Sequence, residues 1–234
     1  MDRLLAGRSD GCSTIAGGGN ITESGKFFLC PRGDIRASLT VAENVDCDIV
    51  ILHIGGNANA VQLNFQLLSR SRLKCLFLSE NCENLKISVT LSLSGENSRA
   101  HIGNFFCGQG SNGHSISVSQ VHSAADGKSS LLSKVILDGS ATSEFHGRID
   151  IAPNAARSDA SQRNDNILLS DGARAISCPQ LNIANNDVKC SHGAATGTID
   201  EAAIFYAMSR GIDTATCKRL MAEGMVAALI GWQL

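Results

Sequence analysis

Leu85-Lys86-Ile87-Ser88-Val89-Thr90-Leu91-Ser92-Leu93, closed by Ser94-Gly95-Glu96-Asn97, alternates apolar and polar residues without a break and then turns. Successive side chains of an extended chain point to opposite faces, so this run is a strand with one apolar and one polar side. Ala60-Val61-Gln62-Leu63-Asn64-Phe65-Gln66-Leu67 repeats the pattern, and Asp48-Ile49-Val50-Ile51-Leu52-His53-Ile54 precedes it, stopping at Gly55-Gly56-Asn57. Shorter runs follow at 115–121, 132–137, 145–151, 166–169 and 180–183. Turn residues separate them at roughly 8–12-residue spacing, the mark of an all-β domain.

A sandwich, a barrel and a β-solenoid all satisfy that count. No helical pattern separates the strands before residue 198, which excludes an α/β fold. Asn112-Gly113 is the lone strong two-residue hairpin signal. Small polar residues dominate, as stacked coils with interlocking inward rows require. These features favour a solenoid, although no repeat length emerges from the strand spacing. Gly17-Gly18-Gly19 lacks the Gly-Lys-Ser/Thr ending of a phosphate cradle and reads as a loop.

Serine (27), glycine (23) and asparagine (16) make up over a quarter of the 234 residues, against ten aromatics and three prolines. An apolar fraction of 43% excludes intrinsic disorder. A net charge of −2 argues against a nucleic-acid surface. The longest aliphatic run, 225–230, is too short to span a bilayer, and the N-terminus lacks the apolar core of a secretory signal. The expectation is a cytoplasmic protein with no membrane and no nucleic-acid partner. Nine scattered cysteines without a C-x-x-C pair then read as reduced thiols, most of them small core residues.

The character changes after Gly197. Asp200 and Glu201 open a helix that runs to about Arg210 and stops at Gly211, and Asp213 caps a second helix. Met221, Met225, Ala228 and Leu229 fall on one face of it. The predicted organisation is a β domain over 1–197, its first thirty or so residues irregular, followed by a helical segment over 198–234. The helices either cap the end of the β stack or dock a partner.

The chemistry concentrates in Asn185-Asn186-Asp187-Val188-Lys189-Cys190-Ser191-His192-Gly193-Ala194, at the junction of the two parts. If this segment is extended, the Cys190 thiol and His192 imidazole share a side, and the pair suits iron or zinc. In a chain with nine cysteines and six histidines the pairing could also be chance. His114 and His122 read as packed or surface residues. No activated serine and no paired carboxylates stand out.

Residues 145–212 resemble the core of the SufB/SufD proteins of the SUF iron–sulfur cluster assembly system. Phe145-His146-Gly147-Arg148-Ile149, Ala160-Ser161-Gln162, Asn166-Ile167-Leu168-Leu169-Ser170 and Pro179-Gln180-Leu181 carry the resemblance, together with Lys189-Cys190-Ser191-His192-Gly193-Ala194 and Phe205-Tyr206 before Ser209-Arg210-Gly211-Ile212. It implies a right-handed parallel β-helix with a C-terminal helix pair, and a non-catalytic scaffold. Such a scaffold pairs with a SufB-like subunit, docks a SufC-like ABC ATPase, and holds a transient iron–sulfur cluster at the heterodimer interface. His192 would be the interface ligand, Cys190 an accessory one, and neither would hold a cofactor tightly in this chain alone. The ATPase would meet the helix pair around Phe205, Tyr206, Arg210, Met221 and Met225. SufB-type members carry a cysteine and a glutamate where Asn164 and Gly193 stand here, so the resemblance is to SufD. Members also carry a helical N-terminal domain with no counterpart here, and a homodimer is an alternative when the chain is alone. A solenoid enzyme acting on a polymer and a purely structural solenoid are the competing expectations.

Overall fold

A computed structural model of the chain describes residues 14–31, 33–54, 59–198 and 201–233. Among these residues fourteen strands alternate between two seven-stranded parallel sheets, so each coil contributes one strand to each sheet. One sheet holds the odd-numbered strands, β1 (Thr14–Ile21), β3 (Asp34–Val41), β5 (Asn59–Leu67), β7 (Asn84–Leu93), β9 (Gly113–His122), β11 (Thr142–Ile151) and β13 (Arg174–Ile183). The other holds β2 (Gly25–Leu29), β4 (Asp46–Ile54), β6 (Arg72–Glu80), β8 (Arg99–Gly108), β10 (Lys128–Leu137), β12 (Asp159–Leu168) and β14 (Lys189–Thr198). The fold is a parallel β-solenoid followed by two helices, α1 (Glu201–Ser209) and α2 (Thr214–Gln233).

The alternation read from the sequence is the coil's inside–outside code. Ile35, Val61, Ile87 and Ile116 align on β3, β5, β7 and β9, one beneath the next. Each is 2% exposed or less. Phe65, Phe77 and Phe106 are as deeply enclosed in the same continuous core. Burial of such side chains contributes roughly 1.5–3 kcal/mol apiece.

Two corner ladders close each coil. Asn44, Arg70, Asn97, Asp126 and Arg157 all adopt φ between 57° and 61°, each two residues ahead of a strand of the even-numbered sheet. Neighbours along this corner also bind one another. Arg70 Nε donates to Asn44 Oδ1 at 2.7 Å, and the Arg157 guanidinium grips the Asp126 carboxylate at 2.6–2.7 Å. On the other corner Gly139 has φ +71°, and a Cβ there would lie 3.1 Å from the Gly110 backbone. Coils can approach that closely only through glycine.

Asn112-Gly113 is one of these corners, carrying the chain from β8 to β9 and making no hairpin. Gly17-Gly18-Gly19 lies within β1, an extended strand and not the loop its composition suggested. β1 and β2 likewise fall inside the stretch read as irregular; residues 1–13 lie outside the described ones. Cys47, Cys75 and Cys82 are buried, whereas Cys30 and Cys178 are exposed.

The core changes character along the solenoid. Val41, Leu67 and Leu93 are followed on the next rung by His122, and Leu39, Phe65 and Leu91 by Gln120. Burial drives the His53 and His122 imidazoles down to about 4 and that of His114 to about 3, from an ordinary 6.5. All three rings are therefore neutral in the folded chain near neutral pH. The unfolded chain protonates them below about 6.5, so it binds more protons than the folded state between that value and about 4. Stability is complete above pH 6.5 and falls as pH drops through this window, by about 3 kcal/mol for a ring displaced to 4. Neither ring nitrogen of His53 has a hydrogen-bond partner. His53→Leu should therefore flatten the pH dependence of the urea unfolding midpoint between 6.5 and 4, and an unchanged slope would exclude this ring as its source.

Candidate functional site

The segment that carries Cys190 and His192 is the last strand, β14, and not a corner leading into the helices. Among the described residues β14 pairs with β12 alone and β13 with β11 alone, so both strands of the final coil present an unpaired edge. Register decides which way their side chains face. Ala160 aligns with Cys190 and Gln162 with His192, and both β12 residues are buried inside the coil. Cys190 and His192 thus share the inward-facing row, the common side expected from their spacing. With no further coil above them among the described residues, Cys190 is half-buried and His192 exposed.

The inside of the solenoid therefore opens at this end. Cys190 lies against a small cluster of Ile149, Ile151, Ala155 and Ala160. This burial pushes its thiol above the ordinary value, opposed by a backbone hydrogen bond from Ala160. On β13 the same open row carries Leu181 and Ile183, about two-fifths exposed at 39% and 42%. Thiol, imidazole and aliphatic side chains so share one uncovered rim beside two free strand edges. Free parallel edges are templates for further strand pairing.

Beneath this rim the interior is polar, which strand alternation alone did not reveal. His122 Nε2 lies 2.7 Å from Ser129 Oγ, and Gln120 Nε2 donates to the same hydroxyl at 2.6 Å. Gln162 Nε2 donates to Gln120 Oε1 at 2.7 Å. Asn164 and Asn166 donate to Ser177 and Thr196 at 2.7 and 3.1 Å, tying the last two coils together across the interior. The Gln162 carboxamide fits only because residue 147 is glycine, since a Cβ there would lie 2.2 Å from Gln162 Oε1. A polar residue at an inward position looks in sequence like an outward one, so these groups carried no signal.

Among the described residues no three His, Cys, Asp or Glu side chains converge as a metal site. Cys190 and His192 supply two donors at most, fewer than the four protein ligands that an iron–sulfur cluster takes. A trough of about 730 Å³ beside β14 is lined by His192 and Gln162 together with Lys134, Arg163 and Asp165, and reaches Ala228 of α2. Its Lys134 and Arg163 share the single Asp165 carboxylate, at 3.5 and 2.9 Å.

The helices do not cap the open end. α2 lies along the outer face of the even-numbered sheet, where Ala222, Met225, Val226 and Leu229 meet Leu76, Phe105, Leu132 and Ile136. The packed face is thus turned slightly from the expected one, with Ala228 exposed and Met221 half-buried. Lys218 pins the start of α2 to the glycine corner through Asp138 at 2.9 Å, and Ser170 donates to the same carboxylate. Burial alone would raise the Asp138 carboxyl, but hydrogen bonds from Ser170, Lys218 and the Gly139 N–H outweigh it and hold it low.

Asp213 caps α2 by accepting the Thr216 N–H at 2.9 Å, and Gly211 at φ +81° ends α1, both as read from the sequence. α1 leaves Phe205, Tyr206 and Met208 exposed at 76%, 60% and 55%, with Arg210 stacked 5.2 Å from the Tyr206 ring centre. No described helix is long and apolar enough to cross a membrane.

The sequence matches the family described as "SUF system FeS cluster assembly, SufBD core domain" over residues 38–225. It is 38% identical to the iron–sulfur cluster assembly protein SufD of Escherichia coli over 98 residues, 42% of this chain and 23% of that one. It is 29% identical to an iron–sulfur cluster assembly SufBD family protein of Mycobacterium tuberculosis over 218 residues, 78% of this chain and 55% of that one. SufD of Bacillus subtilis is 28% identical over 141 residues, 60% of this chain and 32% of that one. The chain thus spans about half the length of the mycobacterial relative and less of the other two.

Two outcomes follow from this geometry. Truncating Leu229, which is fully buried under α2, should cost about 2–5 kcal/mol of helix docking. It should appear as faster hydrogen exchange over 214–233 with the strands unaffected; uniform acceleration would contradict a separately anchored helix. In alkylation at mildly alkaline pH, exposed Cys178 should react well before Cys190, whose raised thiol is mostly protonated. Equal rates would refute the half-buried placement.

Proposed function

The chain belongs to the SufBD core family of the SUF iron–sulfur cluster assembly system, and from that premise we propose that it is a SufD-like scaffold subunit. The observation that carries this reading is the open final coil, which turns an inward row containing Cys190 and His192 outward beside two unpaired strand edges. A SufB-like solenoid seated on these edges would continue both sheets and cover the rim. The nascent cluster is then cargo in the covered seam. A neutral imidazole binds iron through one nitrogen, and the thiol of Cys190 is a second donor once deprotonated by the metal. The partner supplies the remaining thiolates.

The helix pair is the docking unit for a SufC-like ABC ATPase. Phe205, Tyr206 and Arg210 are exposed and constitute its contact surface. Met225 packs on the chain's own sheet, and the half-buried Met221 borders the contact. Because α2 is anchored at one end by Lys218 and along its length by Leu229, movement of α1 would be transmitted to the flank of the last coils. The protein itself catalyses no bond-making step in this scheme and acts in the cytoplasm.

The test is reconstitution with SufB- and SufC-like partners, ATP, ferrous iron and a sulfur donor. His192→Ala should retain co-purification with both partners and lose most cluster formation, read from the visible absorption of the cluster. Undiminished assembly in that variant would remove His192 from the scheme. Phe205→Ala with Tyr206→Ala should release the ATPase and leave the solenoid pair intact; an ATPase that still co-purifies would relocate the docking surface.

A further inference from the structure

We propose that Gln162 is a positioning residue for His192, its carboxamide oxygen accepting an imidazole N–H so that the other ring nitrogen is presented to metal. The proposal rests on the reading of His192 as a ligand. It begins with an anomaly in the interior: Gln162 is 3% exposed, and its Oε1 has no hydrogen-bond partner. A buried acceptor left unpaired is costly, so such a group calls for a donor.

The hydrogen-bond line below it fixes which way the amide faces. Ser129 Oγ receives the Gln120 amide N–H at 2.6 Å and so has its own proton to give to His122 Nε2, 2.7 Å away. That donation leaves Gln120 Oε1 to receive Gln162 Nε2 at 2.7 Å. Each amide in this series is placed with its nitrogen as the donor and its oxygen free for the next partner. Gln120 belongs to β9, one coil lower, so the Gln162 nitrogen points down the solenoid. The oxygen is therefore turned away from the lower coil and lies across the interior against Gly147, while Gln162 and His192 line one trough.

His192 is the inward residue in register with Gln162 on that terminal coil. Neighbouring strands are about 4.8 Å apart, which puts the two side-chain ends within reach of one hydrogen bond. The imidazole is exposed and the contact is not made in the isolated chain. Fixing the ring, by metal or by a covering surface, brings its N–H to the waiting oxygen. Ligating histidines are commonly held in this way by a hydrogen bond from the nitrogen that does not bind metal. Gly147 completes the arrangement by leaving the recess that the carboxamide fills.

The test uses the full chain labelled with ¹⁵N at histidine, with Zn²⁺ alone as a diamagnetic probe and His192→Asn to assign the signal. With Zn²⁺ bound, the unaltered chain should show a His192 imidazole N–H protected from exchange with water. Gln162→Met keeps the volume and removes the acceptor; it should lose that signal and bind Zn²⁺ about 10–100-fold more weakly. Gln162→Glu keeps an acceptor for the ring while giving up the donor to Gln120; it should restore the protected N–H, and it serves as the informative variant if Gln162→Met does not fold. A protected N–H that survives in Gln162→Met, or is absent from the zinc-bound unaltered chain, overturns the positioning role and leaves His192 a ligand. Zn²⁺ that never engages His192 overturns the ligand reading itself.

Discussion

Each coil of this solenoid is stable only because its inward row sits directly on the row below. Parallel pairing in strict register turns the alternation of single strands into columns, Ile35 under Val61 under Ile87 under Ile116. A slip of one residue would expose every member of a column. The corners serve the same constraint. Five residues repeat one left-handed backbone geometry, and the opposite corner closes through glycines whose backbones nearly touch. The constraint also creates the candidate site, because a stacked architecture has to stop. Where it stops, a row built for the interior faces outward.

Much of this was legible. Leu85–Leu93 and Ala60–Leu67 declared their inside and outside faces, α1 ended and α2 began where Gly211 and Asp213 required, and the family resemblance pointed to the last strand. The repeat length was hidden because the coils are unequal. Strands of the odd-numbered sheet start 25 residues apart at Asp34 and Asn59 but 32 apart at Thr142 and Arg174. The polar interior was hidden for a different reason. Gln120, Gln162 and His122 sit at inward positions, and period-two reasoning assigns polar residues to the outside. Only the column partners, aliphatic on one side and hydrogen-bonded on the other, separate the two cases.

The helix pair shows the limit of reading a face from spacing. Met225 and Leu229 do pack, but the stripe they pack with includes Ala222 and Val226 in place of Ala228. The outer surface of the even-numbered sheet decided that rotation, since Leu76, Phe105, Leu132 and Ile136 form a diagonal apolar band that the helix follows. Lying on the flank, α2 leaves the terminal rim uncovered and carries α1 clear of the strands. One chain end therefore offers two separate surfaces.

The unequal coils have a geometric outcome of their own. Strands lengthen from eight residues at β3 to ten at β7 and beyond, and the corners grow with them. The first coils are accordingly narrower than those from β7 to the uncovered rim. A narrow solenoid abutting that rim would leave part of the perimeter wet, whereas one of equal breadth would seat flush and seal it. Fit at this end is then decided by circumference before any individual side chain is compared, which sets a coarse filter on what can complete the stack.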